Sequence, residues 1–354
     1  MEEIKLNETP VRTSRNFNIN NIKLDKSIIP QHIGKFENVK ILGQTSKINV
    51  EETQNNCDLT YGLGEILTNQ IKEKANQNLL ITIDSKINKE LQIEFTLDSK
   101  NPNLLDNINI IANENSRGTV IIKYTSKENL EGFHNGIIKV LAKEYSEINI
   151  LIINLTNQKC NNFVSIENTI ENGANIKYTF VDFGGKNSIT NYYSNLIGEK
   201  SINKVNTIYL GKQNQVFDLN YIGELRGEKS DIDIQVQGAL KDNSKKHFKG
   251  TIDFKKGCKK STGNEVEECM LLSETAKSLA LPMLLCSEED IEGNHSSSAG
   301  KIGEKELFYI MSRGFELKEA MKLMVRAKFN KVLATIKNEE IRNEIISEMN
   351  NRLD

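Results

Sequence analysis

Four side chains with chemical potential stand in the last third of the chain: Cys258, Cys269, Cys286 and His295. Thiolate and imidazole are soft and borderline ligands suited to iron or zinc. Their spacings of 11, 17 and 9 residues match no structural zinc pattern. Each cysteine taken singly reads as a small core residue. His295 differs, because it lies in the polar, small-residue run Gly-Asn-His-Ser-Ser-Ser. That setting predicts an exposed turn and an imidazole able to ligate or to titrate near neutrality.

Other chemistries fare less well. Gly300-Lys301 and Gly185-Lys186 invite comparison with a phosphate loop. The positions of the first glycine are His295 and Phe180, and the followers are Ile302 and Asn187, where Ser or Thr is needed. Glu288, Glu289, Asp290 and Glu292 form an acidic run, which ordinarily marks a solvated face. Asp231 and Asp233 alternate on a strand and share one face, the arrangement a carbohydrate-acting lyase or hydrolase would need. The absence of Trp removes the usual sugar platform.

The elements that position these residues can be read in outline. Between Pro102 and Pro282 there is no proline, as long runs of fully paired strands require. LQIEFTL, TVIIKY, INILIINL, NIKYTFVDF and SDIDIQVQGAL are short, β-branched and bounded by Asn, Gly, Ser and Lys. This spacing predicts a mainly β protein: sandwich, barrel or β-solenoid. No strict repeat selects among them. A solenoid needs its ends covered, and distinct segments at both ends of the chain would serve. After the strands, Gly303 starts a helix with Glu304 and Glu306 in its first turn, and Gly314 stops it. Leu317, Met321, Met324, Val325, Phe329, Val332, Leu333 and Ile336 then share a helical face, and Asn338 caps another helix. The expected division is 1-65, an N-terminal region with an irregular or short helical lead-in at TPVRTSRNFNINNIKL; 66-303, the β core; and 304-354, a helical domain.

The net charge of −2 over 354 residues argues against a nucleic-acid partner. No apolar run approaches a membrane span, and the first residues do not read as a signal peptide. Five scattered cysteines without a CxxC pair suit a reducing cytoplasm.

Several motifs in one order resemble the SufB/SufD family of the SUF iron–sulfur cluster assembly machinery, and SufD more than SufB. They are GGKNSITNYYSNLIGEKS, NQVFDLNYIGELRG, HFKGTIDFKKGCKKSTG, CMLLSETAKSLALP and GNHSSSAGKIGEKELFYIMSRGF, followed by EAMKLMVRAKF. The resemblance implies a right-handed parallel β-helix between an N-terminal region and C-terminal helices. It implies a scaffold subunit, not an enzyme, that pairs with a SufB-like subunit or a second copy through the β-helix. It also implies that the ATPase SufC docks on the helices, through Phe308, Tyr309, Arg313, Leu317, Met321, Met324 and Phe329. His295 falls on the SufD-type histidine, a metal ligand at the assembly interface, with Cys286 nearby in sequence. The implied cofactor is none stably bound, only a transient Fe–S cluster. Three positions depart from the pattern: Ala276 stands where SufB has its interface cysteine, Ser296 replaces a SufB-type glutamate, and Gly293 replaces a cysteine frequent in SufD.

Overall fold

The computed structural model describes residues 2–12, 18–53, 57–127 and 129–354. Part of the expected N-terminal lead-in, residues 13–17, lies outside them.

Two nine-stranded sheets face each other, and the chain alternates between them. The first sheet runs from Val39–Leu42 through Lys86–Leu97, Arg117–Ser126, Glu147–Leu155, Asn175–Asp182, Ile202–Gly211, Asp231–Leu240 and Ser261–Leu271 to Ile291–Lys301. The second runs from Ile48–Glu52 through Gln77–Ile83, Asn103–Ala112, Phe133–Ala142, Asn161–Ile170, Asn187–Leu196, Val216–Leu225 and Lys245–Phe254 to Lys277–Cys286. Within these two sheets, apart from the two short opening strands, all pairing is parallel, and it keeps register except for a shift between Lys86 and Glu90. The chain is therefore a β-solenoid of about eight turns, one of the three β options that the strand pattern left open.

Alternation explains the core. From Leu79 in Gln77–Ile83 and from Leu91 in Lys86–Leu97 every second residue is buried, so Ile81, Ile83, Leu91, Ile93, Phe95 and Leu97 fill the interior. A repeat does exist at the turns. Asn115, Tyr145, Gly173, Lys200, Lys229 and Lys260 all adopt positive φ, and a buried Ser116, Ser146, Ala174, Ser201, Ser230 or Ser261 follows each. The N–H of one turn donates to a carbonyl of the next, as from Tyr145 to Asn172 and from Lys200 to Glu228, both at 2.9 Å. Side chains at the left-handed position vary and the spacing drifts, so this ladder escapes a search for a strict period.

The flanks are covered differently from the ends. The hairpin of Glu3–Leu6 with Ile22–Asp25 and the helix α1, Glu65–Lys74, lie on the outer face of the second sheet. There Ile4, Leu6, Ile22, Leu63 and Leu67 pack on Phe133, Phe163 and Ile189. The strands Val39–Leu42 and Ile48–Glu52 are already part of the sheets, within the span read as the N-terminal region.

The C-terminal helices are α2, Glu304–Met311, α3, Leu317–Leu333, and α4, Glu339–Leu353. Asn338 caps α4 by accepting from the Ile341 N–H at 3.1 Å, and Gly314 takes φ 95° after α2, as the sequence predicts. Val325, Phe329, Val332, Ile345 and Met349 pack on Ile121, Ile153 and Leu210 of the first sheet's outer face and on Phe183 just past one of its strands. The expectation that both ends of the solenoid are covered holds only at the N-terminal end, because these helices fold back along a flank. No described helix is long and apolar enough to cross a membrane.

Candidate functional site at the open end of the solenoid

The last turn consists of Lys277–Cys286 and Ile291–Lys301, each paired on one side only. His295 lies inside the second of these strands, not in a turn as the small-residue run suggested. Ladder continuity explains this: Gly293, Asn294, His295 and Ser296 stand in register with Gly263, Asn264, Glu265 and Val266, and pairing overrides weak strand propensity. The acidic run instead spans the turn, Ser287 to Asp290, and the start of this strand.

Backbone direction at this edge follows from two bonds. The Ile302 N–H donates to Leu271 O, and Asp290 O accepts from the Lys260 N–H. Even-numbered residues of the strand thus bond to the preceding turn. Odd-numbered ones, including His295 and Ala299, direct N–H and C=O out of the open edge. The side chains of odd residues share the interior face with Gly263, Glu265, Glu267 and Cys269, which are buried in alternation.

His295 and Cys286 are both exposed and both on that interior face. They are not brought together. Across the core Gly293 faces Leu284, since a Cβ on Gly293 would lie 3.5 Å from Leu284 Cδ1. Cys286 lies two residues past Leu284 and His295 two past Gly293, in opposite directions, an offset of about 13 Å from the strand rise. A Cβ at Gly293 would also stand 3.1 Å from Phe254 Cε2, so a larger residue there would press on the core. Cys57, Cys160, Cys258 and Cys269 are buried, in keeping with core packing. Burial raises the Cys258 and Cys269 thiols above the ordinary thiol range. Among the described residues no three His, Cys, Asp or Glu side chains could hold a metal ion together. The open end offers one imidazole and one distant thiol, so a complete set of ligands needs donors from outside the chain.

Just inside this end lies a charged layer that the sequence reading missed. Lys246, Glu265 and Glu267 are all fully buried. Glu267 is well supplied: Lys246 Nζ lies 2.7 Å from Oε1, Tyr209 Oη donates to Oε1 at 3.2 Å, and Ser297 Oγ donates to Oε2 at 2.8 Å. Glu265 has no hydrogen-bond partner at either oxygen. Burial, and then the neighbouring Glu267, push its carboxyl up to about 8. The signal that could have revealed the layer is charge at alternating positions of an otherwise inward-facing strand: Glu265 and Glu267 in STGNEVEECML.

The residues expected to dock an ATPase divide into three groups. Phe308, Tyr309 and Leu317 are exposed, Phe308 at 74%. Arg313 is exposed too, lies over the Tyr309 ring and donates to Tyr309 Oη at 3.0 Å. Met321 and Met324 are half-buried. Phe329 must be corrected: it is fully buried and stacks on Phe183 with ring centroids 6.2 Å apart, so it holds the helices to the solenoid. Asp231 and Asp233 do share an outward, half-buried face. Asp233 Oδ1 accepts from Gln235 on its own strand at 2.7 Å and from Asn264 on the next at 2.8 Å, a surface amide network of the kind that ties neighbouring strands together.

Comparison with known proteins agrees with this architecture. Residues 95–328 match the family model described as SUF system FeS cluster assembly, SufBD core domain. Iron-sulfur cluster assembly protein SufD of Bacillus subtilis is 21% identical over 271 residues, 76% of this chain and 62% of that protein. An iron-sulfur cluster assembly SufBD family protein of Mycobacterium leprae is 21% identical over 67% of this chain and 27% of its own length. One from Pyrococcus horikoshii is 31% identical over 45% of this chain and 35% of its own length. The matched region thus spans less than two thirds of each of these relatives. With the family core matched over well more than half of its residues, the chain belongs to the SufBD family.

Proposed function

We propose that this chain is a SufD-like scaffold subunit for iron–sulfur cluster assembly, working in the cytoplasm without turnover chemistry of its own. The observation that carries the reading is the open terminal turn of a SufBD core, with His295 exposed at its mouth. Two strands of 10 and 11 residues end the sheets, each with its outer edge unpaired. Edges of that length are templates for strand addition. A SufB-like subunit, or a second copy of this chain, would extend both sheets and supply the donors that the site lacks. The growing cluster is cargo at that junction, and His295 is the ligand this chain contributes. Cys286 would meet the partner's edge rather than share an ion with His295.

The second contact is the helical flank. Phe308, Tyr309, Met311, Phe315, Leu317 and Leu323 are large apolar residues exposed on α2, its exit and α3. So many exposed apolar residues in one short stretch of chain suit a protein interface, and SufC is the partner that the family reading assigns to it. ATP-driven movement of SufC would then reach the open end through the solenoid, acting only by differential contacts in its two states.

Co-purification with SufB and SufC, followed by anaerobic iron and sulfide loading of wild type and His295→Ala, tests the proposal. A stable complex and loss of loading in the variant are expected. Failure to bind SufB and SufC would end the scaffold reading, whereas unchanged loading would remove only His295 from it.

A further inference from the structure

The unexplained group at the open end is Glu265. It is fully buried, both carboxyl oxygens lack partners, and such groups are rare in folded proteins. The chain has nevertheless made room for it. A Cβ on Gly250, on the facing strand, would sit 1.9 Å from Glu265 Oε2, so the carboxyl rests where only glycine leaves space. Lys246, buried beside it, bonds Glu267 instead. Across the core, the turn below places Pro282 in register with Gly250, and proline has no N–H to offer. Directly below Glu265 in its own sheet stands His295.

A neighbouring pair shows what this relation allows. Glu267 and Ser297 are in register two residues further along the same two strands, and the Ser297 hydroxyl reaches up to Glu267 Oε2 at 2.8 Å. Adjacent strands lie about 4.8 Å apart, and an imidazole is longer than a hydroxymethyl group. We infer that Glu265 is a positioning residue for His295, accepting a hydrogen bond from one ring nitrogen and leaving the other aimed out of the open end. Metal-binding histidines commonly depend on such a carboxylate to fix tautomer and ring direction. The inference rests on the proposed function for its purpose, but the hydrogen bond itself does not depend on cluster assembly.

The test therefore reads the ring and not the cluster. The full chain holds four histidines, few enough for nitrogen-15 histidine spectra to be assigned with His295→Ala. At one fixed pH, wild type is expected to show His295 in a single tautomer. Glu265→Met keeps the volume and removes the acceptor, so His295 should relax to the two-tautomer mixture of a free imidazole. Glu265→Gln keeps a carbonyl acceptor and should restore the single form. Should Glu265→Met fail to fold, wild type and Glu265→Gln still decide the matter, since both must show one tautomer. A two-tautomer His295 in wild type, or an unchanged single tautomer in folded Glu265→Met, overturns the inference. Neither result bears on whether His295→Ala blocks cluster loading, so the two ideas fail separately.

Discussion

The two ends of the solenoid are opposites. At the N-terminal end Val39–Leu42 and Ile48–Glu52 run antiparallel to the first full turn, Phe36 meets Phe95 edge-on at 6.1 Å, and Ile81, Ile83, Leu91 and Ile93 pack in the same apolar core. At the C-terminal end the last strand is exposed along nearly its whole length, and the layer above it holds Lys246, Glu265 and Glu267. Strands of four and five residues blunt an edge, because they offer few unpaired groups for another chain to copy. Strands of 10 and 11 residues do the reverse. One end is built to stop the fold; the other is built to continue into something else.

The largest effect that would break this contrast is at Ala299. Its N–H faces the open edge, so Ala299→Pro removes a group needed for strand addition without removing a bond to the preceding turn. Association through this end should be lost in light scattering while circular dichroism stays unchanged. Persistent association would show that the junction lies elsewhere. Next is Phe36→Ala at the closed end, expected to cost about 3–5 kcal/mol as a buried aromatic truncation, with unfolding in urea as the measurement. A cost below about 1 kcal/mol would mean that Phe36 does not plug the core.

Glu265→Gln sharpens the comparison through pH. The folded-state carboxyl is raised above its unfolded value, to about 8. Its contribution is fully present below the unfolded value and is lost as pH rises toward the folded one. Wild type should therefore lose stability relative to Glu265→Gln between about pH 4.5 and 8, on the order of a few kcal/mol. Parallel pH profiles of the two would contradict a neutral buried acid. The smallest effect is expected for His295→Ala, an exposed residue whose removal should cost no more than its hydrogen bond to Glu265, about 1–2 kcal/mol. A larger loss in thermal unfolding would give His295 a structural role.

Local features were legible where a local rule decides them. The helix between Gly303 and Gly314 and the cap at Asn338 follow from residues within a few positions of each other. The β-branched runs announced strands, and the family motifs announced which solenoid. His295 was misread as a turn residue because Gly, Asn and Ser favour turns in isolation, while its actual conformation is imposed by a neighbouring strand 30 positions away in the chain. The turn ladder escaped notice because its conserved element is a backbone angle, borne by Asn, Tyr, Gly and Lys alike. Phe329 belonged to a correct helical stripe, but a stripe does not say what covers it.

By itself, then, the sequence determined the class of element, the helix boundaries, the family and the single candidate histidine, since each is written in neighbouring residues or in ordered motifs. Only the tertiary structure decided that Cys286 and His295 stand apart, that the helices cover a flank, and that Glu265 lies buried above His295. Those facts depend on register between strands some 30 residues apart and on which sheet face meets which helix, relations that no local pattern encodes.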